Sequence, residues 1–380
     1  MRSDARPLVM FAIPKLDAGG PDRVLHALIS NLARERFRVA LAVGEEGGRY
    51  FDALPADVAI ARIGGGRYPA ARLARVIDRV QPAILFTTQR MNMTAALALP
   101  LSRHRPRHVL RQANAIAEDF AALKTQSLIK HRLAEQATWA MLRRADMIVA
   151  QSTSMATAIA GRIGGRTPIA TIGNPVDLAL VRAAAGQGEA SIGGAPALVS
   201  VGRLDFQKGY DLLIEALCPI RARHPGAALT IVGEGPARAA LTAQAASLGL
   251  SDALFLPGHS ATPLAVVAAA DLFVSSSRYE GFSNALLEAM ALGVPVVATD
   301  CPGATRDMVI DDETGWLSPS IDAAGIANAV LRALDVDRAA VAARAQTHVA
   351  REYDVKRIVA AYERLFETVL EARPHRRKAA

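Results

Sequence analysis

Glu280 and Glu288 frame the segment richest in chemistry, SSSRYEGFSNALLEAMALGVPVVAT over residues 275–299. An apolar run ends at Ser275, a loop carries Glu280, Gly281 and Phe282, and Ser283 or Asn284 is placed to cap a helix that Gly293 ends. The first amides of such a helix, about Asn284, Ala285 and Leu286, have no partner within it and suit an anion, phosphate above all. Carboxylates on either side do not bind phosphate but accept hydrogen bonds from neutral hydroxyls, such as those of ribose or a sugar. A glutamate before a helix has a plainer reading too, as a charge that complements the dipole. A second segment, VGRLDFQKG, sets Arg203 and Lys208 around a turn at a strand end. Arginine offers a phosphate a bidentate fork and lysine a point charge. Two more strand-end turns carry Gly233, Glu234 and Gly235, and then Pro257, Gly258 and His259. Each is weak alone, and His259 reads as an ordinary surface or capping histidine.

Apolar runs with little polar alternation must position these turns. They stand at Leu8–Pro14, Arg38–Val43, Ala83–Thr87, Arg107–Leu110 and Met147–Ala150, then at Ala197–Val201, Ala228–Val232, Ala253–Leu256, Leu272–Ser275 and Pro295–Ala298. Such runs predict strands buried on both faces of parallel α/β sheets. The pattern of strand, glycine turn and helix occurs at Leu8 with Gly19-Gly20, and again at Ala197 with Gly202. The chemistry-bearing residues follow the runs, at the carboxyl ends of strands, where open parallel sheets bind ligands. The expected division is residues 1–180, a Gly-rich linker over 181–196, a second domain over 197–350, a helix over 351–372 packing back toward the first domain, and a basic tail over 373–380. Helices are predicted at Ala323–Leu334, Arg338–Ala350 and Val355–Leu370.

Taken in order, these segments closely resemble the C-terminal domain of retaining GT-B glycosyltransferases, specifically glycosyltransferase family 4. The resemblance rests on Glu280, GFSNALL, Glu288; on Gly202, Arg203, Leu204, Lys208 and Gly209; on the GEGP turn at Gly233–Pro236; and on Asn174-Pro175-Val176-Asp177, Gly303 and Gly315-Trp316-Leu317. It covers most of residues 195–320 and is weaker before 180, where Gly19-Gly20-Pro21-Asp22-Arg23 matches the family's glycine loop. It implies two Rossmann-like doubly wound domains facing each other across a cleft. It implies that Arg203 and Lys208 contact a donor diphosphate, Glu288 the ribose, Glu280 the transferred sugar, and the Asn284–Leu286 amides a phosphate or sugar oxygen. It also implies that Gly19 and Gly20 approach the donor from the first domain and that the Gly233–Pro236 and Leu256–Gly258 turns border the base. Many family members carry a first-domain histidine near the sugar. The corresponding stretch here, RHVLRQANAIA over 107–117, offers His108 before the strand's apolar residues and Asn114 after them. Asn114 could donate to a sugar hydroxyl but could not act as acid or base.

The resemblance implies transfer of a sugar from a nucleotide-diphosphate donor, UDP-linked before GDP-linked, to a glycan or lipid-linked acceptor, with retention and without metal or other cofactor. The one DxD, Asp335-Val336-Asp337, falls between predicted helices and is set aside. Charge is uneven: residues 1–190 hold 26 Lys+Arg against 15 Asp+Glu, and residues 191–380 hold 18 against 21. A basic first half suggests an anionic acceptor or an anionic membrane surface met by the basic helical stretch Phe120–Arg144, although a solvated basic face looks the same. Two cysteines, Cys218 and Cys301, give no disulfide framework or metal site and read as small core residues of a reduced, cytoplasmic protein. The N-terminal apolar run lacks the form of a signal peptide, and no run reaches spanning length. A GT-B nucleotide-sugar 2-epimerase is the nearest alternative. A dinucleotide oxidoreductase lacks the GxGxxG spacing, and a nucleic-acid partner is not expected without RRM or zinc-finger signatures.

Overall fold

The apolar runs become parallel strands. The computed structural model describes residues 4–17, 19–113, 128–165, 167–188 and 192–372. The chain divides into two units, one of residues 1–175 with 355–380 and one of residues 176–354.

The first unit holds β1 (Leu8–Lys15), β2 (Arg38–Glu45), β3 (Ala59–Arg62), β4 (Ile84–Thr88), β5 (Arg107–Arg111), β6 (Met147–Ala150) and β7 (Ile169–Thr171) in the order β3-β2-β1-β4-β5-β6-β7. The second holds β8 (Ala197–Val201), β9 (Ala228–Val232), β10 (Leu254–Gly258), β11 (Leu272–Ser275), β12 (Val296–Thr299) and β13 (Trp316–Ser318) in the order β10-β9-β8-β11-β12-β13. Each order reverses once, between β1 and β4 and between β8 and β11. In a doubly wound sheet that point is where ligands bind. The strands β3, β7 and β13 are additions to the predicted set. They are only three or four residues long at sheet edges, and β3 exposes three of its four residues, so no apolar run announces them.

The helix Leu178–Ala185 occupies the start of the stretch expected to link the domains. Asp177 caps it, its Oδ1 accepting from the Leu180 amide at 3.0 Å, and Val181 packs into the second unit's core. The chain therefore passes between units near Pro175 and again near Asp354. The helix Val355–Glu371 belongs to the first unit, where Ile358, Val359, Tyr362, Leu365, Phe366 and Val369 pack against Phe11, Phe37 and Phe86. Glu363, buried in the same helix, accepts the Ala33 amide at 2.8 Å and pairs with Arg36. Cys301 is buried as expected of a core residue, whereas Cys218 is only half-buried, toward the end of the helix Tyr210–Arg223. The basic tail over 373–380 and residues 120–127 of the predicted basic helix lie outside the described residues. No helix of the described residues is long and apolar enough to cross a membrane.

Dividing by unit sharpens the charge asymmetry. The first unit carries 32 Lys+Arg against 16 Asp+Glu, and the second 12 against 20.

Phe366 is fully buried, with ring centroids 6.0 to 6.5 Å from those of Phe11, Phe37, Phe86 and Tyr362. Phe366→Ala should destabilise the first unit by about 3–5 kcal/mol. Denaturant unfolding followed separately in the two units checks this, with the loss confined to the first.

Candidate functional site

The sequence of the second unit brings two strand-end loops together at the switch point. After β8 the chain turns through a single 3₁₀ turn, Phe206–Lys208, capped by the Asp205 carboxylate, whose Oδ1 accepts from the Lys208 amide at 3.3 Å. After β11 it runs through Ser276 and Ser277 to Glu280. The loops are sewn together by their own hydrogen bonds. Ser276 Oγ donates to the Lys208 carbonyl at 2.8 Å, the Arg278 amide to the Gln207 carbonyl at 2.8 Å, and Gln207 Nε2 to the Tyr279 carbonyl at 3.1 Å. Arg278 pairs with Asp211 at 2.6 Å and lies over the Phe206 ring, 4.2 Å from its centroid.

This framework sets Lys208 Nζ 2.5 Å from Glu280 Oε1. Ser277 Oγ donates to the same oxygen at 2.7 Å. Burial works against the charge on Lys208, but the adjoining Glu280 carboxylate outweighs it and holds the ammonium above the usual lysine range. Tyr210, fully buried beside it, has its hydroxyl pushed up to about 12 by burial. Arg203 stands at the same strand end with 69% of its side chain exposed, its Nε donating to Asp205 Oδ2 at 2.5 Å. Two glycines permit the close approaches. A Cβ on Gly209, at φ +62, would lie 2.1 Å from the Ser276 carbonyl oxygen. One on Gly303, at φ +133, would lie 1.8 Å from that of Glu280. Neither position accepts a side chain without moving the pair apart.

The helix Asn284–Leu292 follows Glu280, with Ser283 as its cap and Gly293 in the left-handed conformation at its end. Glu288 is buried one turn inside it. The Leu286 amide donates to Ser283 Oγ at 3.4 Å, so of the three amides expected to hold an anion this one already serves the cap. Phe282, expected near the donor, is instead a core residue, its ring edge-on to Tyr353 at 5.5 Å. Gly281 is buried beside it.

The other turns line the same sheet edge. A Cβ on Gly202 would lie 2.7 Å from the Tyr210 hydroxyl, and one on Gly235 would lie 2.3 Å from the Leu204 carbonyl oxygen. Gly233 donates its amide to the Gly258 carbonyl at 2.9 Å, and Pro257 and Gly258 close β10 itself. Glu234 is exposed and pairs with Arg238 at 2.6 Å; the hydrogen bond to that guanidinium holds its carboxyl below the usual range. Of the DxD residues, Asp337 caps the helix Arg338–Glu352, its Oδ1 accepting from the Ala339 amide at 3.0 Å, and Asp335 pairs with Arg223.

Expectations for the first unit change more. Gly19 caps the helix Gly20–Asn31, and Asp22 Oδ2 accepts from its amide at 3.1 Å, so that amide is engaged within the chain. Burial raises the Asp22 carboxyl above its usual range. His108 is not available to a sugar: it is 1% exposed, and Nε2 lies 2.9 Å from Thr87 Oγ1, which donates to Asn92 Oδ1. Its position inside β5 rather than after it is the reason. Asn114 lies outside the described residues. Sequence reasoning passed over Asp205, Ser276, Ser277 and Arg278, although three serines after an apolar strand were a readable signal.

The Lys208–Glu280 pair gives a pH test. Because the folded-state pKa of Lys208 is raised, its contribution to stability is fully present below the ordinary lysine range and is lost only as pH rises past it. Glu280→Gln should lower stability at neutral pH by about 3 kcal/mol. Unfolding curves of the two proteins should converge only above about pH 10, where an ordinary lysine deprotonates. Gly303→Ala should cost more than about 1 kcal/mol, the ordinary scale of a glycine substitution, measured by thermal unfolding of the second unit.

The chain is similar to several known proteins. The chain is 36% identical to the glycogen synthase of Mycobacterium tuberculosis over 209 residues, 54% of this chain and 49% of that protein. It is 38% identical to the lipopolysaccharide core biosynthesis glycosyltransferase LpsE of Rhizobium meliloti over 136 residues, 36% of this chain and 38% of that protein. The chain thus spans about half the length, or less, of these relatives. Among solved structures, Anabaena HepE in complex with UDP-glucose superimposes with a TM-score of 0.77 at 19% identity, covering 96% of this chain and all of that one. The fold is GT-B. The family model described as Glycosyltransferase Family 4 matches residues 18–180, and that described as Glycosyl transferases group 1 matches residues 195–336, so the chain belongs to the family 4, group 1 glycosyltransferases.

Proposed function

We propose that this chain transfers a sugar from a nucleotide-diphosphate sugar, UDP-linked before GDP-linked, to a glycan or lipid-linked glycan acceptor with retention of anomeric configuration, in cell-surface polysaccharide or glycolipid synthesis. The observation that carries the reading is the Lys208–Glu280 pair at the β8/β11 switch point, with Arg203 exposed at the same strand end. The UDP-glucose held by HepE and the lipopolysaccharide role of LpsE support it.

The chemistry follows from charge. As the bond between the anomeric carbon and the diphosphate breaks, positive character builds on the sugar and negative charge on the departing nucleoside diphosphate. Arg203 offers its terminal nitrogens to a phosphate while Asp205 steadies its Nε. Lys208 brings a charge that the adjoining Glu280 holds against the cost of burial. In this reading these cations supply the stabilisation a metal ion would otherwise give. Glu280, fixed by Lys208 and Ser277, accepts from sugar hydroxyls, and Glu288 from the ribose. The Gly233–Gly235 and Pro257–Gly258 turns border the base. A cytoplasmic place, at the inner face of an anionic membrane, belongs to the same reading. Leu97, Leu101 and Leu133 of the first unit are each about half or more exposed, in a unit with a large basic excess. Apolar side chains among basic ones suit such a surface.

Arg203→Ala and Lys208→Ala should each lower kcat by about 10²–10³; near-normal turnover by the folded double variant would sink the assignment. Glu288→Ala should raise the donor KM more than it lowers kcat, and calorimetry showing unchanged nucleotide affinity would remove the ribose role. A thermal-shift screen of UDP, GDP and ADP and their sugars identifies the donor, since a ligand at 100 Kd adds about 2.7 kcal/mol. Product analysis without acceptor separates transfer from epimerisation. Flotation with anionic vesicles at low salt tests the membrane, and failure to float removes it.

A further inference from the structure

A small cavity of about 40 Å³ opens at the carboxyl ends of the first unit's strands, lined by Pro14 of β1, Glu45 of β2, the loop after β3, and Arg90 and Met91 after β4. The cavity lies over the ends of β1, β2 and β3, and Arg90 and Met91 reach it from the helix after β4, across the point where the order of this sheet reverses. That space suits a small polar group.

Three observations give the group a charge. The loop after β3 reads Ile63-Gly64-Gly65-Gly66-Arg67. Gly64 and Gly66 have φ +79 and +131, and no atom lies within 4 Å of where a Cβ would stand on Gly65 or Gly66. The glycines there leave open backbone that a ligand can approach closely. Arg72 donates to the Gly65 carbonyl at 3.1 Å and steadies that loop. Next, Gln89 stands at φ 53 and ψ −136 between β4 and the helix Arg90–Ala98. A non-glycine residue holds such a conformation at a cost of about 1–3 kcal/mol, and strain of this kind gathers at functional sites. Here it turns the chain so that Arg90 borders the cavity. Finally, Arg67 and Arg90 both line the cavity and neither pairs with a carboxylate among the described residues, against the single carboxylate of Glu45.

We propose that Arg67, Arg90 and the Gly64–Gly66 loop bind an oxyanion of the acceptor, a phosphate or carboxylate group carried beside the sugar that receives transfer. The proposal rests on the glycosyltransferase reading and names the acceptor's chemical class: it is anionic. Guanidinium forks recognise both oxyanions, so the shared chemistry defines the site and the ligand comparison distinguishes them.

The test uses the full chain with saturating UDP, so that anions do not report on Arg203 and Lys208. Inorganic phosphate and glucuronate are titrated at low salt against the wild type and Arg67→Ala/Arg90→Ala by isothermal calorimetry. At least one anion should bind the wild type ten-fold or more tightly than the double variant, with UDP affinity equal in both and part of the anion affinity restored by Arg67→Lys/Arg90→Lys. The tighter of the two anions identifies the acceptor group. Equal anion binding by wild type and double variant, with UDP bound normally, overturns the site and leaves the glycosyltransferase reading intact. Absence of binding by the wild type to UDP, and to GDP and ADP used in its place, instead overturns the reading on which the proposal rests.

Discussion

A cation and a carboxylate in contact at the switch point of a parallel sheet organise the second unit. Lys208 and Glu280 come from loops after adjacent strands, and their contact requires those loops to meet. A partly buried pair of this kind costs desolvation on both sides and is seldom a bargain in stability. Here the cost is offset locally: Ser277 satisfies Glu280, Asp205 caps the turn before Lys208, and Arg278 joins the two loops through Asp211 and Phe206. Gly209 and Gly303 are part of the same arrangement, since a methyl group at either would occupy the space of a neighbouring carbonyl oxygen. The chemistry-bearing residues are thus held by backbone contacts that tolerate little change.

The first unit repeats the architecture with other contents. Its strand ends carry a cavity with two arginines and a triple glycine instead of a lysine–glutamate pair. Its most polar interior feature, Arg111, is fully buried at the end of β5 and donates to Asn174 at 2.5 Å, next to the place where the chain leaves the unit. The helix Val355–Glu371 closes the core of this unit after the chain has built the whole of the other. Its seven buried apolar side chains, each worth about 1.5–3 kcal/mol of burial, make it integral to the first unit.

Charge segregates with the units. The acidic second unit sets Arg203 and Lys208 at its switch point, where the proposed leaving diphosphate would gain negative charge. The basic first unit spreads arginine over its surface and places two at a cavity. Long-range attraction toward an anionic acceptor or surface would then act on one unit, and short-range stabilisation of a diphosphate on the other.

The sequence by itself determined the class of fold and the family, and it pointed to the strand-end turns of the second unit. Short continuous apolar runs between glycine turns predict strands buried on both faces, and in a parallel sheet the turns that follow them stand at the carboxyl ends of the strands. Short edge strands were not legible, because three or four residues are too few to show a periodicity. Tertiary structure alone decided which polar residues face a site. His108 and Phe282 stand in suggestive places, yet the His108 ring lies against Thr87 inside the first unit and the Phe282 ring lies edge-on to Tyr353. It alone joined Lys208 to Glu280, since no spacing along the chain shows that residues 72 positions apart share an oxygen's hydrogen bonds. And it alone gathered Arg67, Arg90 and three glycines around one cavity, because sheet order, not sequence order, makes β1 and β4 neighbours.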